Sequence, residues 1–167
     1  MIFNSTSKWR ILPHSSEIQS RPAQTIVCER ILVPIDGSPA SMHAVEWAIE
    51  LSRAADAEIT ILMVIDYDAH ISVFEQVSMS GYLPAELKVA AYRFLAELMH
   101  EIPRSVHAHT RVEEGDPAEV TVAVAAEEEI HIIVMGSRGF GTFERIAFGS
   151  VSTHVTRHAH CPVLLAK

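Results

Sequence analysis

Apolar and polar positions along the chain alternate between short aliphatic runs and longer stretches with a helical period. Arg30 to Ile35 is an aliphatic run of the kind buried on both faces of a parallel sheet. It stops at Pro34-Ile35-Asp36-Gly37-Ser38-Pro39, where Ser38 reads as a helix N-cap and Pro39 as the first helical residue. Met42, Val45, Ile49 and Ser52 then recur on one stripe. Glu58 to Ile65 predicts a second strand, followed by an irregular segment from Asp66 to Leu83 that is long for a simple connection. Pro84 to Glu101 predicts a helix, with Leu87, Ala91, Phe94, Leu95, Leu98 and Met99 on one face. Val106 to Val112 predicts a third strand whose His107, His109 and Arg111 alternate with Val106, Ala108 and Val112, so one face is wetter. Gly115-Asp116-Pro117-Ala118-Glu119 is a helix start in which Asp116 caps, Pro117 opens and Glu119 closes a capping box. That helix runs to about Glu127, with Val120, Val124 and Ala125 inward. Ile130 to Met135 predicts a fourth strand, Val151 to Arg157 a last helix, and Pro162 to Ala166 a fifth short strand.

Strand and helix therefore alternate through the chain. That order predicts an α/β fold, a single open five-stranded parallel sheet with helices on both faces. Right-handed crossovers leave few topologies open to it. Residues 1–29 break every period with Ser and Pro and read as an N-terminal arm ahead of a domain spanning 30–167. Trp9, Ile11 and Leu12 are the arm's one sizeable apolar cluster, so the arm is either a mobile tail or docks through them on the domain or a partner.

Composition narrows the functional classes. A length of 167 residues favours one domain, and 49% hydrophobic residues can bury a sizeable core. The longest apolar runs fall far short of the ~20 residues of a membrane span, and no secretory signal is legible. Cys28 and Cys161 are too few for a disulfide framework or a cysteine-built zinc site. These features predict a cytoplasmic chain without a membrane partner. The net charge of −8 argues against nucleic-acid binding. It also means that any bound anion must be held by local donors, with a divalent cation in support.

Such donors are concentrated between the fourth strand and the last helix. Gly136, Gly139, Gly141 and Gly149 are four of the seven glycines in the chain. A glycine-rich loop between a strand and a helix N-terminus presents unpaired N–H groups to an anion. A P-loop is excluded, since no lysine lies between Met135 and Ser152. A dinucleotide fingerprint is excluded too, because the first strand is followed only by Asp36-Gly37-Ser38. Asp36 itself reads either as a turn aspartate bonding its own backbone or as a ligand contact at a strand's carboxyl end.

Gly136, two residues, Gly139, nine residues and Gly149-Ser150 make up a spacing that resembles the ATP-binding motif of the universal stress protein family. The resemblance covers roughly Arg30 to Lys167. It extends to Pro34-x-Asp36, Val64 before Ile65-Asp66, Gly115-x-Pro117-Ala118-Glu119, and the Cys161-Pro162-Val163 ending. It implies a Rossmann-like fold of the adenine nucleotide alpha hydrolase kind, and a stress-response protein that binds ATP, with Mg²⁺, as a nucleotide-dependent regulator. It places adenine between Val64 and Met135, with backbone from Pro34 and Ile35 at its edge and Asp36 near the ribose. It puts N–H groups of Gly136, Gly139, Gly149, Ser150, Val151 and Ser152 toward the phosphates, with the Ser150 and Ser152 hydroxyls beside them. It also implies a homodimer through the terminal strand 162–166, whose outer edge has no covering helix.

Other candidates carry weaker signals. Arg138, between two motif glycines, is the expected side-chain neighbour of a phosphate, ahead of Arg145. His107 and His109 share a strand face without an evident third ligand, and His154, His158 and His160 lack a metal-protease spacing. No catalytic residue and no metal-ligating residue is assigned. Two alternatives stay open, a slow ATP hydrolase or nucleotide-processing enzyme on the same scaffold and an interaction module with no bound nucleotide. The regulatory protein partner and the stress signal are not legible.

Overall fold

The computed structural model describes residues 28–67, 83–138 and 149–167. The Trp9–Leu12 cluster, Gly139, Gly141 and Arg145 lie outside the described residues. The elements are β1 (Arg30–Ile35), α1 (Pro39–Ala55), β2 (Glu58–Ile65), α2 (Leu83–Glu101), β3 (Ala108–Glu114), α3 (Pro117–Glu127), β4 (Ile132–Gly136), α4 (Ser150–His158) and β5 (Val163–Ala166).

All five strands are parallel, in the order β3-β2-β1-β4-β5. The expected open α/β sheet is therefore the observed one. β1 is central and buries side chains on both faces. Ile31, Val33 and Ile35 pack with Ala44, Val45 and Ala48 of α1 and Leu95 and Leu98 of α2. Leu32 points the other way and packs with Leu62, Val124, Ala125, Ile133, Met135 and Val155, in the layer under α3 and α4. Each such aliphatic chain contributes about 1.5–3 kcal/mol when removed from water. Helices thus cover both faces in two pairs.

The helix ends show why these sequences stop where they do. Ser38 is extended (φ −68°, ψ 156°), and its hydroxyl accepts from the Ser41 N–H at 3.3 Å, capping α1. Asp56 ends α1 in the left-handed region (φ 54°). Asp116 caps α3 as expected, its Oδ1 accepting from the N–H groups of Ala118 and Glu119 at 2.9 Å each. Gly115 before it sits at φ 130°, a conformation that favours glycine. Glu119 does not reach back to Asp116 but faces His154 at 3.3 Å. α3 ends in a Schellman turn. The Ile130 N–H reaches the Ala125 carbonyl at 2.9 Å and the Glu129 N–H reaches Ala126 at 3.3 Å, with Glu129 left-handed at φ 48°. Arg30 holds that strained residue through both its carbonyl and its carboxylate, at 3.1 and 3.2 Å.

Two strands are shifted from their expected positions. β3 runs 108–114 rather than 106–112. Val106 is buried, but its N–H bonds the Pro103 carbonyl at 2.9 Å, so it belongs to a turn that packs on the core. At the other end Glu113 and Glu114 register with Val64 and Ile65. β4 runs 132–136 rather than 130–135, because Ile130 is consumed by the Schellman turn.

The charged face of β3 is gathered on one side chain. Arg111 donates to Glu113 at 2.7 Å, Glu128 at 2.7 Å and Glu127 at 2.8 Å. Its hydrogen bond to Glu128, with those to the other two carboxylates, raises its already high pKa. The acidic C-terminus of α3 opposes the helix dipole, and Arg111 offsets that repulsion. His109 adds to the same face, with Nδ1 3.1 Å from Glu58 and Nε2 3.1 Å from Thr60.

Gly136, at the end of β4, is required by packing. A Cβ there would lie 2.9 Å from the Ala40 carbonyl carbon and from the Ser41 nitrogen. The first turn of α1 crosses β4 at backbone contact. Gly136→Ala is expected to destabilise by about 1–3 kcal/mol, lowering the melting temperature by roughly 2–12 °C. Arg111→Met is expected to lower the urea midpoint, and more so at low than at high salt, because Glu113, Glu127 and Glu128 then repel one another without compensation.

Candidate functional site at the sheet switch point

β1 pairs with β2 on one side and β4 on the other. After β1 the chain turns onto one face of the sheet as α1, and beyond β4 it supplies α4 to the opposite face. Two connections leaving a parallel sheet in opposite directions open a crevice at the strands' carboxyl ends, where ligands of open α/β sheets bind. Asp36, Val64, Met135 and Gly136 all stand at that rim.

Asp36 is exposed, and its Oδ1 accepts from the Ser38 N–H at 2.9 Å. This is the local turn anticipated for it, with Gly37 at φ 82° between the two residues. The carboxylate is held at the crevice mouth beside the start of α1. Pro34 is half-buried, whereas the Ile35 side chain belongs to the core under α1 and α2, leaving its main chain at the rim. Leu32, Leu62 and Ile133 lie on one sheet face. The two-residue alternation of a strand puts Pro34, Val64 and Met135 on that same face. Val64 is half-buried there, while Met135 is closed off at 4% exposure.

The start of α4 differs in detail from expectation. Gly149 is its N-cap, extended at φ −72°, and contributes no side-chain capping bond. Among the described residues a Cβ at Gly149 would meet its neighbours only at 3.7–3.8 Å, so neither its conformation nor the packing of those residues demands glycine. Its N–H does not point outward but donates to the Ser137 carbonyl at 2.9 Å. The Ser152 hydroxyl is also turned inward, donating to the Ser137 carbonyl at 2.9 Å and lying 3.1 Å from that of Gly149. Among the described residues, nothing accepts from the N–H groups of Ser150, Val151 and Ser152, the first turn of the helix. Ser150 is exposed and Val151 half-buried. Arg138 is exposed, and among the described residues it has no ion-pair partner.

Ser137 is the residue that sequence reasoning missed. It is 2% exposed, its carbonyl takes both inward bonds, and its own N–H donates to the Ala166 carbonyl at 2.8 Å. The available signal was a small polar residue just after a buried strand, inside the glycine motif.

The remaining candidates lie elsewhere. His154 and His158 stack at 4.0 Å, and His158 Nδ1 bonds the His154 carbonyl at 2.8 Å. Among the described residues no three metal-ligating side chains converge. Burial pushes both the Cys28 and the Cys161 thiol up from the usual range, away from thiolate chemistry. On the β2 side of the rim, Lys88 and Glu114 form an ion pair, and that hydrogen bond raises the lysine. Burial, then the Glu114 carboxylate, raises Tyr67 beside them. No helix among the described residues is long and apolar enough to cross a membrane.

Comparison with known proteins bears on this crevice. The model of the universal stress protein family matches residues 28–167. Universal stress protein MJ0531 of Methanocaldococcus jannaschii is 32% identical over 152 residues, covering 83% of this chain and 82% of its own. The solved universal stress protein UspA of Lactobacillus plantarum is 29% identical with a TM-score of 0.69, over 83% of this chain and 97% of that one. A family member from Arabidopsis thaliana, solved with AMP bound, shares the fold at 24% identity and a TM-score of 0.55, over 83% of this chain and 91% of that one. A family match across the whole described domain, on a sheet of the same architecture, places this chain in the universal stress protein family.

Proposed function

We propose that the chain binds an adenine nucleotide, ATP with Mg²⁺, in the crevice between β1 and β4 and acts as a nucleotide-dependent regulator in stress response. The observation that carries this reading is the start of α4. A helix N-terminus capped by a glycine, with no side-chain cap among the described residues, offers the N–H groups of Ser150 and Val151 and the exposed Ser150 hydroxyl at the switch point. Hydrogen bonds to a charged group contribute about 1.5–3 kcal/mol each, and the helix dipole adds about 0.3–1 kcal/mol. The intact spacing of Gly136, Gly139 and Gly149 supports a triphosphate, and the family member solved with AMP supports the adenine. Adenine lies against Val64 and the backbone at Pro34 and Ile35, with Met135 closing the layer behind it. Asp36 faces the ribose, and Arg138 stands near the phosphates. Mg²⁺ takes most of its ligands from phosphate and water and only one or two from carboxylates. Asp36 is the carboxylate at the mouth that fits this donor set.

Asp36 is read as a binding residue rather than a base, its Oδ1 being held in a backbone turn by the Ser38 N–H. The same reading includes a homodimer through β5. Its Val163, Leu164 and Leu165 are half-buried and uncharged, whereas the opposite edge, β3, carries His109, Arg111 and Glu113. Charge on an edge strand discourages pairing, and a bare aliphatic edge invites it.

Protein purified without added ligand, heat-denatured and cleared, is expected to release adenine nucleotide into the supernatant. Titration calorimetry with Mg-ATP is expected to show micromolar binding. Asp36→Asn preserves the turn acceptor and removes the charge. It is expected to weaken ATP binding by about tenfold or more with an unchanged melt. Absence of nucleotide in the extract together with no calorimetric heat would refute the reading in favour of an empty interaction module. Rapid Mg-ATP turnover that Asp36→Ala abolishes would favour the hydrolase. Leu164→Lys is expected to convert a dimer to a monomer in sedimentation velocity, and a wild-type monomer would remove the β5 interface.

A further inference from the structure

The handover from β4 to α4 is gathered on one oxygen. The Ser137 carbonyl accepts from the Gly149 N–H and from the Ser152 hydroxyl, each at 2.9 Å. Its residue is pinned on both sides. The Ser137 N–H is bonded to Ala166 of β5 at 2.8 Å, and Gly136 before it meets the backbone of α1 with no room for a Cβ. Position 149 stands 3.7 Å, measured from an ideal Cβ, from the Cα of Arg138, so the chain leaves β4 and enters α4 side by side. An ordinary helix start is held by an N-cap side chain reaching over the first N–H groups. This start is held from inside, and among the described residues nothing accepts from its outward N–H groups.

We infer that Ser152 is a positioning residue for the phosphate site, acting through Ser137, and that its hydroxyl is not a phosphate ligand. The inference rests on the nucleotide reading above and refines it. A serine hydroxyl has one proton. Ser152 is buried, and its hydroxyl proton is already donated to a carbonyl. Its remaining lone pairs would repel a phosphate oxygen rather than bind it. Ser150, two residues earlier and exposed, is about 200° away around the helix and is the serine whose hydroxyl is available to a phosphate. Two serines that look equivalent in the motif therefore have separate tasks. Ser150 touches the ligand, and Ser152 aims the turn that carries it. Because Ser137 is locked to both β5 and, through Gly136, α1, the Ser152 bond registers the start of α4 against Asp36 and Ser38 across the crevice.

The test uses the full-length protein and three variants, Ser152→Ala, Ser152→Thr and Ser150→Ala. It measures calorimetric affinity for Mg-ATP, competition by adenosine, and hydrogen exchange at the Gly149 amide. Ser152→Ala is expected to weaken ATP by about tenfold, to leave adenosine unchanged, and to speed exchange at Gly149. Threonine keeps a hydroxyl able to donate to the Ser137 carbonyl, so Ser152→Thr is expected to restore both. Ser150→Ala is expected to weaken ATP without changing Gly149 exchange. Equal losses for ATP and adenosine in Ser152→Ala, unchanged ATP affinity in it, or no recovery in a normally melting Ser152→Thr would each overturn the inference. If the wild type binds neither ligand, the nucleotide reading falls and the phosphate role with it. The internal bond then stands or falls separately on Gly149 exchange.

Discussion

The central strand carries the architecture. β1 hydrogen-bonds to β2 on one side and to β4 on the other, and it is buried on both faces. Consequently the connection that follows it and the connection that follows β4 must leave the sheet in opposite directions. The crevice between them is a by-product of packing two helix pairs on one parallel sheet, and it exists whether or not a ligand fills it. The chain then places glycine where a side chain would obstruct. At Gly136 the obstructed group is the backbone of α1. At Gly149 the described residues come no nearer to a Cβ than 3.7 Å, so no close contact among them requires glycine there.

An acidic chain that holds an anion must do so with short-range donors. The net charge of −8 works against phosphate at a distance, but salt screens that field within about 10 Å. Main-chain N–H groups at a helix start act well inside that distance. Several carboxylates elsewhere have a cation beside them. Arg111 serves three of them, Arg30 serves Glu129, and Lys88 serves Glu114. The two sheet edges differ for the same economy of charge, one edge laced with ions and the other aliphatic.

Much of this was legible in the one-dimensional pattern, because periodicity and caps are local. The nine elements of the described residues were anticipated in order and type, and the Ser38 and Asp116 caps behave as their spelling predicts. The errors fall at strand ends and at side-chain direction. Val106 and Ile130 look like strand residues because they are apolar. Both are buried from turns, one closing on Pro103 and the other finishing the Schellman motif. The extension of β3 to Glu114 follows from its pairing with Val64 and Ile65 of β2, with Lys88 of α2 matching the Glu114 charge, and no local pattern contains either.

The sequence by itself determined the alternation of strand and helix, the family, and the stretch of chain where the site lies, because hydrophobic period, capping residues and glycine spacing are written residue by residue. Tertiary structure alone decided the strand order β3-β2-β1-β4-β5, the reason for Gly136, and the inward turn of the Gly149 N–H and the Ser152 hydroxyl. Each of these depends on which backbone lies alongside which. A hydroxyl or an amide is a free donor only if no carbonyl from a distant strand has reached it first.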